Sequence, residues 1–369
     1  MPSPNIRPEP MTAPATSSRR LRFERLPLRR IILISLSIAI VYGVVAGSAA
    51  TLRMGTFTAA DWRSLVINGI ARGSVYALIA IGYTLVYGIL FMINFAHGEV
   101  FMSGAYTAFF VAVAFGRSGY LNAHPLVSIG AILIVSMVTS TLVAVILERV
   151  AYRPLRGAPR LVPLITAIGA SFFLQYTFRG LYGAQARAYP TINVLQGTWT
   201  IFGVEILRTQ VIVVVSAVLL WIALFTFVAK TRTGRSMRAV GEDREIAALM
   251  GINVDRTIVA TFAIGGALAG AAGILYVFLF NQVIFTMGFF PGIKAFTAAV
   301  LGGIGSVTGA AMGGLLLGVL EAVGPNLFLT GAGVPSPNQL QPVVAFGILV
   351  LVLIFLPGGF LGAPEEKRA

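Results

Sequence analysis

The sequence predicts an all-α protein, a polytopic transmembrane helical bundle with broken or re-entrant helices. Three observations carry that prediction. Of 369 residues, 57% are hydrophobic and only 11% charged, where soluble domains carry about 25% charged residues. Mean hydropathy is +0.87, and several apolar runs approach the roughly 20 residues that cross a hydrocarbon core of about 30 Å. Two of those runs are interrupted, one at Ile93-Asn94-Phe95-Ala96-His97-Gly98-Glu99 and one at Gly302-Gly303-Ile304-Gly305-Ser306. A soluble enzyme is excluded. So is an outer-membrane barrel, whose strands alternate and run to only about 10 residues.

The elements follow in order. Residues 1–30 are rich in Pro, Ser and Arg and lack apolar periodicity, which predicts a disordered basic cytoplasmic tail. Residues 31–52 form the first hydrophobic segment. Its basic flank and the small residues Ala46-Gly47-Ser48-Ala49-Ala50 also fit a signal peptide, but the run is long for one, which favours a retained helix. A membrane domain over 62–362 follows. Its runs cover 65–92, 100–115, 125–147, 161–178, 210–229, 258–280, the interrupted 293–323, and 343–356, where Pro357-Gly358-Gly359 stops the last. The breaks leave the number of helices at eight to ten. Freed backbone groups at a break must face protein or a wet cavity, since lipid cannot satisfy them. Similar breaks in residues 82–106 and 297–318 suggest an internal repeat, which commonly marks a transport pathway.

The net charge is +14, and its placement decides its meaning. Arg7, Arg19, Arg20, Arg22, Arg25, Arg29 and Arg30 precede the first apolar run. Arg149, Arg153, Arg156 and Arg160 fill one loop, and residues 230–257 another, with Lys230, Arg232, Arg235, Arg238, Arg244 and Arg256; Lys367 and Arg368 close the chain. Odd and even crossings place all four segments on one side, the positive-inside pattern that assigns them to the cytoplasm. No aromatic-studded basic surface of the kind that binds nucleic acid accompanies these arginines. The chain has no cysteine, which removes disulfides, thiol catalysis and thiolate metal sites.

Few residues could carry chemistry. Glu99, Lys294 and Glu321 are ionisable groups in apolar sequence, and such groups must be paired or wet. The plainest role for them is to pair with one another or with helix ends. Asn94, His97 and Glu99 crowd one break, where Asn94 could cap freed N–H groups and Glu99 complement the first-turn dipole. The same break could instead line a solute path. The spacing of His97 and Glu99 does not match zinc helices, no Ser-His-Asp set can be assembled, and no cofactor is expected. No G-x-x-x-x-G-K-[ST] sequence occurs, so energy from ATP would have to arrive through another subunit. Small-residue spacings at Gly69/Gly73, Gly266/Gly270, Gly309/Gly313 and Gly314/Gly318 permit close helix approach.

The most specific polar feature is the segment 241–252. Glu242, Asp243 and Glu245 open a short amphipathic helix, Ile246, Leu249 and Met250 form its apolar stripe, and Gly251 stops it. Helices that lie in lipid headgroups prefer Lys and Arg on the polar face. The acidic face here favours a protein partner's groove.

These residues resemble a known family. Asn68-Gly69, residues 77–83, Gly88, residues 93–99, Gly104-Ala105-Tyr106, residues 148–154 and Gly251-Ile252-Asn253 are similar to the permease subunits of branched-chain amino acid ABC importers. Lys294 through Ser306 is the strongest block, and the chain looks closest to the first of two paired permeases. The resemblance implies a multi-pass protein of the bacterial inner membrane. Its implied partners are a second permease subunit, two cytoplasmic ATP-binding subunits and a periplasmic amino acid-binding protein. It also implies that Glu245, Ala247, Ala248 and Gly251, with Glu242 and Asp243, couple to the ATPase through an E-A-A-x-x-x-G motif, from which Ile246 departs at the second position. Asn94, His97, Glu99, Lys294, Gly302, Gly303, Gly305 and Ser306 are then the candidate pathway residues. Residues 1–60 look like an extension of the usual permease.

Two rivals fit the same residues. A self-sufficient channel or ion-coupled carrier would use Glu99 or Glu321 as an ion site and transport without an ATPase. The same importer architecture could also carry urea, short amides or another small polar solute, because the break motif does not name the cargo.

Overall fold

The computed structural model describes residues 28–361 apart from 160, 202 and 357. The predicted tail falls almost wholly outside the described residues, as do Arg160, Lys367 and Arg368. The helices are α1 (Leu28–Met54), α2 (Ala59–Leu90), α3 (His97–Arg117), α4 (Tyr120–Ala123), α5 (Pro125–Leu147), α6 (Leu161–Tyr182), α7 (Arg208–Lys230), α8 (Arg232–Glu242), α9 (Arg244–Leu249), α10 (Val254–Phe280), α11 (Phe289–Gly302), α12 (Val307–Gly324) and α13 (Gln341–Phe355). Among the described residues, nine helices are long and apolar enough to cross a membrane, and α11, at 14 residues, is a shorter apolar helix. Short strands β1 (Arg187–Ala188), β2 (Thr198–Ile201), β3 (Val204–Leu207) and β4 (Gln282–Val283) lie at one end of the bundle; β2 and β3 form a hairpin, and β1 pairs antiparallel with β4.

Helix starts follow local chemistry. Thr58 and Asp61 close a reciprocal capping box on α2, Ser306 Oγ accepts from Gly309 N on α12 at 3.0 Å, and Asn253 Oδ1 accepts from Arg256 N on α10 at 2.9 Å. Beyond the starts, packing is set by small residues. All four glycine spacings find backbone opposite them. A Cβ on Gly73 would sit 2.9 Å from Leu315 Cα, and one on Gly69 2.7 Å from Val319 Cα. Gly314 and Gly318 return the contact on Ala77 and Gly73, so α2 and α12 meet backbone to backbone. Gly309 and Gly313 do the same against Gly302 and Ala298 of α11, and Gly266 and Gly270 against α5. Along α5 the buried face carries Ser128, Ser136 and Ser140. Ser136 Oγ donates to Gly270 O and Ser140 Oγ to Val100 O, both at 2.7 Å. Meanwhile large apolar side chains such as Ile134, Phe173 and Leu219 face outward. Small and polar inside with large apolar outside is the arrangement expected where lipid removes the hydrophobic drive between helices.

Two features differ from expectation. The interruption at 302–306 is a tight turn between α11 and α12, with Gly303 and Gly305 at φ near +100°, and it lies beside Gly88 and Glu242 at the end that carries the basic loops. The second true break is at residues 281–288. Phe91 and Asn281 are the only described non-glycine residues with positive φ, both at +53°, and they end α2 and α10 respectively. After each, the chain turns back as extended backbone and starts a new helix, α3 or α11. The repeat therefore matches α2–α3 with α10–α11, and the pairing of 82–106 with 297–318 does not describe it. Composition concealed this, because residues 282–290 contain no glycine run and only Gln282 is strongly polar.

Candidate pathway and coupling site

The two re-entrant helices start against each other. A Cβ on Gly292 would lie 3.0 Å from Gly98 Cα, and Gly98 packs on the Gly288 carbonyl. His97 packs on Gly82, eight residues or about 12 Å before the end of α2. The start of α3 is thus well inside the bundle, where α2 and α10 cross at Gly82 and Gly265.

Glu99, in the first turn of α3, is fully buried. Gln175 Nε2 donates to its Oε1 at 2.7 Å and Ser171 Oγ at 3.3 Å, both from α6. The other oxygen, Oε2, lies against Gly288 at the start of α11 and has no hydrogen-bond partner among the described residues. The N-terminal ends of α3 and α11 meet at this carboxyl group, and no cation pairs with it among the described residues. Glu99 and Lys294 do not meet.

Asn94 departs from the capping role. Its Oδ1 accepts from the Tyr152 hydroxyl at 2.6 Å, and its backbone carbonyl, not its side chain, takes the His97 N–H at 3.0 Å. His97 stands edge-on to Tyr83, ring centres 4.8 Å apart, and its Nε2 has no hydrogen-bond partner. Lys294 on α11 pairs with Glu321 on α12 at 2.5 Å, and its ammonium lies 5.7 Å from the centre of the Tyr76 ring. Gln175, Ser171, Tyr152 and Tyr83 escaped the sequence reading because each lies far along the chain from the group it serves or in an ordinary apolar helix. Only the isolated polar Gln175 in the run 161–178 was a usable signal.

At the basic end, the segment 241–252 is two elements, not one helix. Glu242 ends α8, and Asp243 is the hinge between helices, its Oδ1 accepting from Glu245 N at 2.8 Å and Ile246 N at 2.9 Å as the N-cap of α9. Extended backbone at Asp243 (φ −153°) breaks the helix that the periodicity predicts. Gly251 stops α9 at φ +82°. Ala247 is buried, whereas Ala248, Glu242, Asp243 and Glu245 are exposed. Ile246, Leu249 and Met250 are 60%, 86% and 77% exposed, an apolar stripe with nothing on it. The unit is anchored to the bundle. Arg244 donates twice to Ile89 O, at 3.1 and 2.5 Å, and burial lowers its guanidinium pKa, with the neighbouring Arg156 adding to that. Arg153 and Arg156 both bind Asp255, and Arg156 also binds the buried Glu148, so the two basic loops share one face.

Comparisons with known proteins agree with this architecture. Residues 65–353 match the family described as branched-chain amino acid transport system / permease component. The chain is 46% identical to the high-affinity branched-chain amino acid transport system permease protein BraD of Pseudomonas aeruginosa, over 82% of this chain and 96% of that protein. It is 42% identical to the corresponding LivH permease of Escherichia coli K12, again over 82% and 96%. A probable branched-chain amino acid transport permease of Methanocaldococcus jannaschii is 27% identical over 82% of this chain and 94% of its own length.

Proposed function

Because this chain belongs to the branched-chain amino acid transport permease family, we propose that it is the transmembrane permease subunit of an ATP-driven importer of branched-chain amino acids. The observation that carries this reading is the bare stripe of Ile246 and Leu249 on the six-residue α9 and Met250 at its C-cap, tied to the end of α2 by Arg244. A protruding apolar stripe on an anchored acidic unit is what a motor subunit's groove would grip and push. The chain has no P-loop sequence of its own, so hydrolysis takes place in two cytoplasmic partner subunits. A second permease completes the membrane part, and a periplasmic binding protein delivers solute. The basic face is then the cytoplasmic side of a bacterial inner membrane. Motion at α9 reaches the Gly88–Ile89 end of α2 and, two turns further, the junction of α3 and α11 around Gly82, His97 and Glu99. The extension before residue 65, including α1, lies outside the family match. Helix α1 docks on 325–331, where Gly331 N donates to Thr51 Oγ1 at 2.7 Å.

The test is leucine uptake into proteoliposomes holding the assembled importer. Replacing Ile246, Leu249 and Met250 together by serine is expected to abolish ATP-dependent accumulation while the ATPase still hydrolyses ATP. Accumulation by this chain alone, or undiminished uptake by the triple variant, would reject the reading.

A further inference from the structure

At the end of the bundle opposite the basic loops, a cavity of about 400 Å³ opens between α2, α7, the end of α10 and the loop 189–197. That volume is in the range of small-molecule sites. Its charge is one-sided. Arg72 lines it, and no Asp or Glu does. Arg72 has no carboxylate within salt-bridge distance among the described residues. Its one hydrogen bond goes to the neutral Gln341 Oε1 at 3.1 Å, and its guanidinium lies 5.5 Å from the Phe280 ring centre. Four of its five N–H donors are therefore available to an anion. Around it stand neutral polar groups. Gln210 Nε2 donates to Asn68 Oδ1 at 2.6 Å, which leaves the Asn68 amide nitrogen and the Gln210 amide oxygen without a partner among the described residues. Tyr189, 5% exposed, has a hydroxyl with no hydrogen-bond partner among the described residues. The first turn of α7, Thr209 and Gln210, also lines the cavity, and this helix has no side-chain cap. Its first N–H, on Arg208, is taken by the Gly197 carbonyl at 3.0 Å, and the N–H groups of Thr209 and Gln210 add a second source of positive potential. The rest of the wall carries the polar Thr191, Gln196 and Asn281 and an apolar patch of Ile192, Leu279 and Phe280.

We infer that this cavity is a vestibule that binds a small apolar amino acid, its carboxylate on Arg72, its ammonium on the amide oxygens and its side chain on the Phe280 wall. The inference rests on the import reading and adds a site on the permease itself. The same helix face carries Arg72, Tyr76, Tyr83 and Tyr87 inward to the turn at Ile304.

The experiment uses the assembled importer in phosphatidylcholine nanodiscs without binding protein, and saturation-transfer NMR on leucine. Leucine should receive saturation. Leucinol, which lacks the carboxylate, should receive none, and Arg72→Gln should weaken leucine binding about tenfold or more, the usual cost of losing a charged hydrogen-bond pair. Arg72→Lys should keep part of the binding, and an unchanged melting temperature in both variants shows that they fold. Equal transfer to leucinol, or unchanged binding in Arg72→Gln, would overturn the inference. Loss of the leucine signal when phosphatidylglycerol replaces phosphatidylcholine would also overturn it, by assigning Arg72 to a lipid phosphate. ATP-driven uptake by the wild type is measured in parallel in proteoliposomes with the binding protein supplied. Intact uptake with no vestibule binding sinks the vestibule alone, whereas absent leucine uptake sinks the import reading.

Discussion

Stripping one partner from the Lys294–Glu321 pair should cost far more than removing both. Glu321 is 1% exposed and Lys294 9%, and they meet at 2.5 Å between α11 and α12. Removing either partner leaves the other charge buried and unpaired, which typically costs about 3–5 kcal/mol, whereas an apolar replacement of the whole pair is often near neutral. Unfolding free energy would be measured by SDS titration in lipid–detergent micelles, followed by the fluorescence of Trp62, Trp199 and Trp221. The double variant Lys294→Met/Glu321→Leu should lose much less than the sum of the singles. Single costs that simply add in the double variant would refute the claim that the two charges neutralise each other in a dry site.

Two further outcomes are expected from the packing. Gly318→Ala places a methyl against Gly73 of α2, and the same titration should show a loss of about 1–3 kcal/mol from overpacking, while Gly43→Ala, with open space around it, should show none. Tyr152→Phe removes the 2.6 Å hydrogen bond to Asn94. It should cost about 1–3 kcal/mol for the buried acceptor left unpaired, and amide hydrogen exchange should speed up at residues 91–97 more than elsewhere.

The sequence by itself determined the solvent, the helices and the exposed unit. Apolar run length identifies lipid as the surroundings. It also located α5 to the residue, because 125–147 is bounded by His124-Pro125 and by Glu148. The glycine spacings foretold close approach, since small residues have few other uses in an apolar helix. The acidic segment with Ile246, Leu249 and Met250 was legible because its charge pattern contradicts its apolar surroundings. Partners were not legible. A glycine shows that something can come near, not that Gly73 would meet Gly318 and Gly266 would meet Ser140. Nor did chain order reveal that Lys294 takes Glu321 while Glu99 is left to Gln175, Ser171 and two helix ends. Those choices depend on crossing points between helices far apart in sequence. The second re-entrant break is marked only by Asn281-Gln282 at its start, because in a packed interior the surrounding helices, rather than its own side chains, make room for the turning backbone.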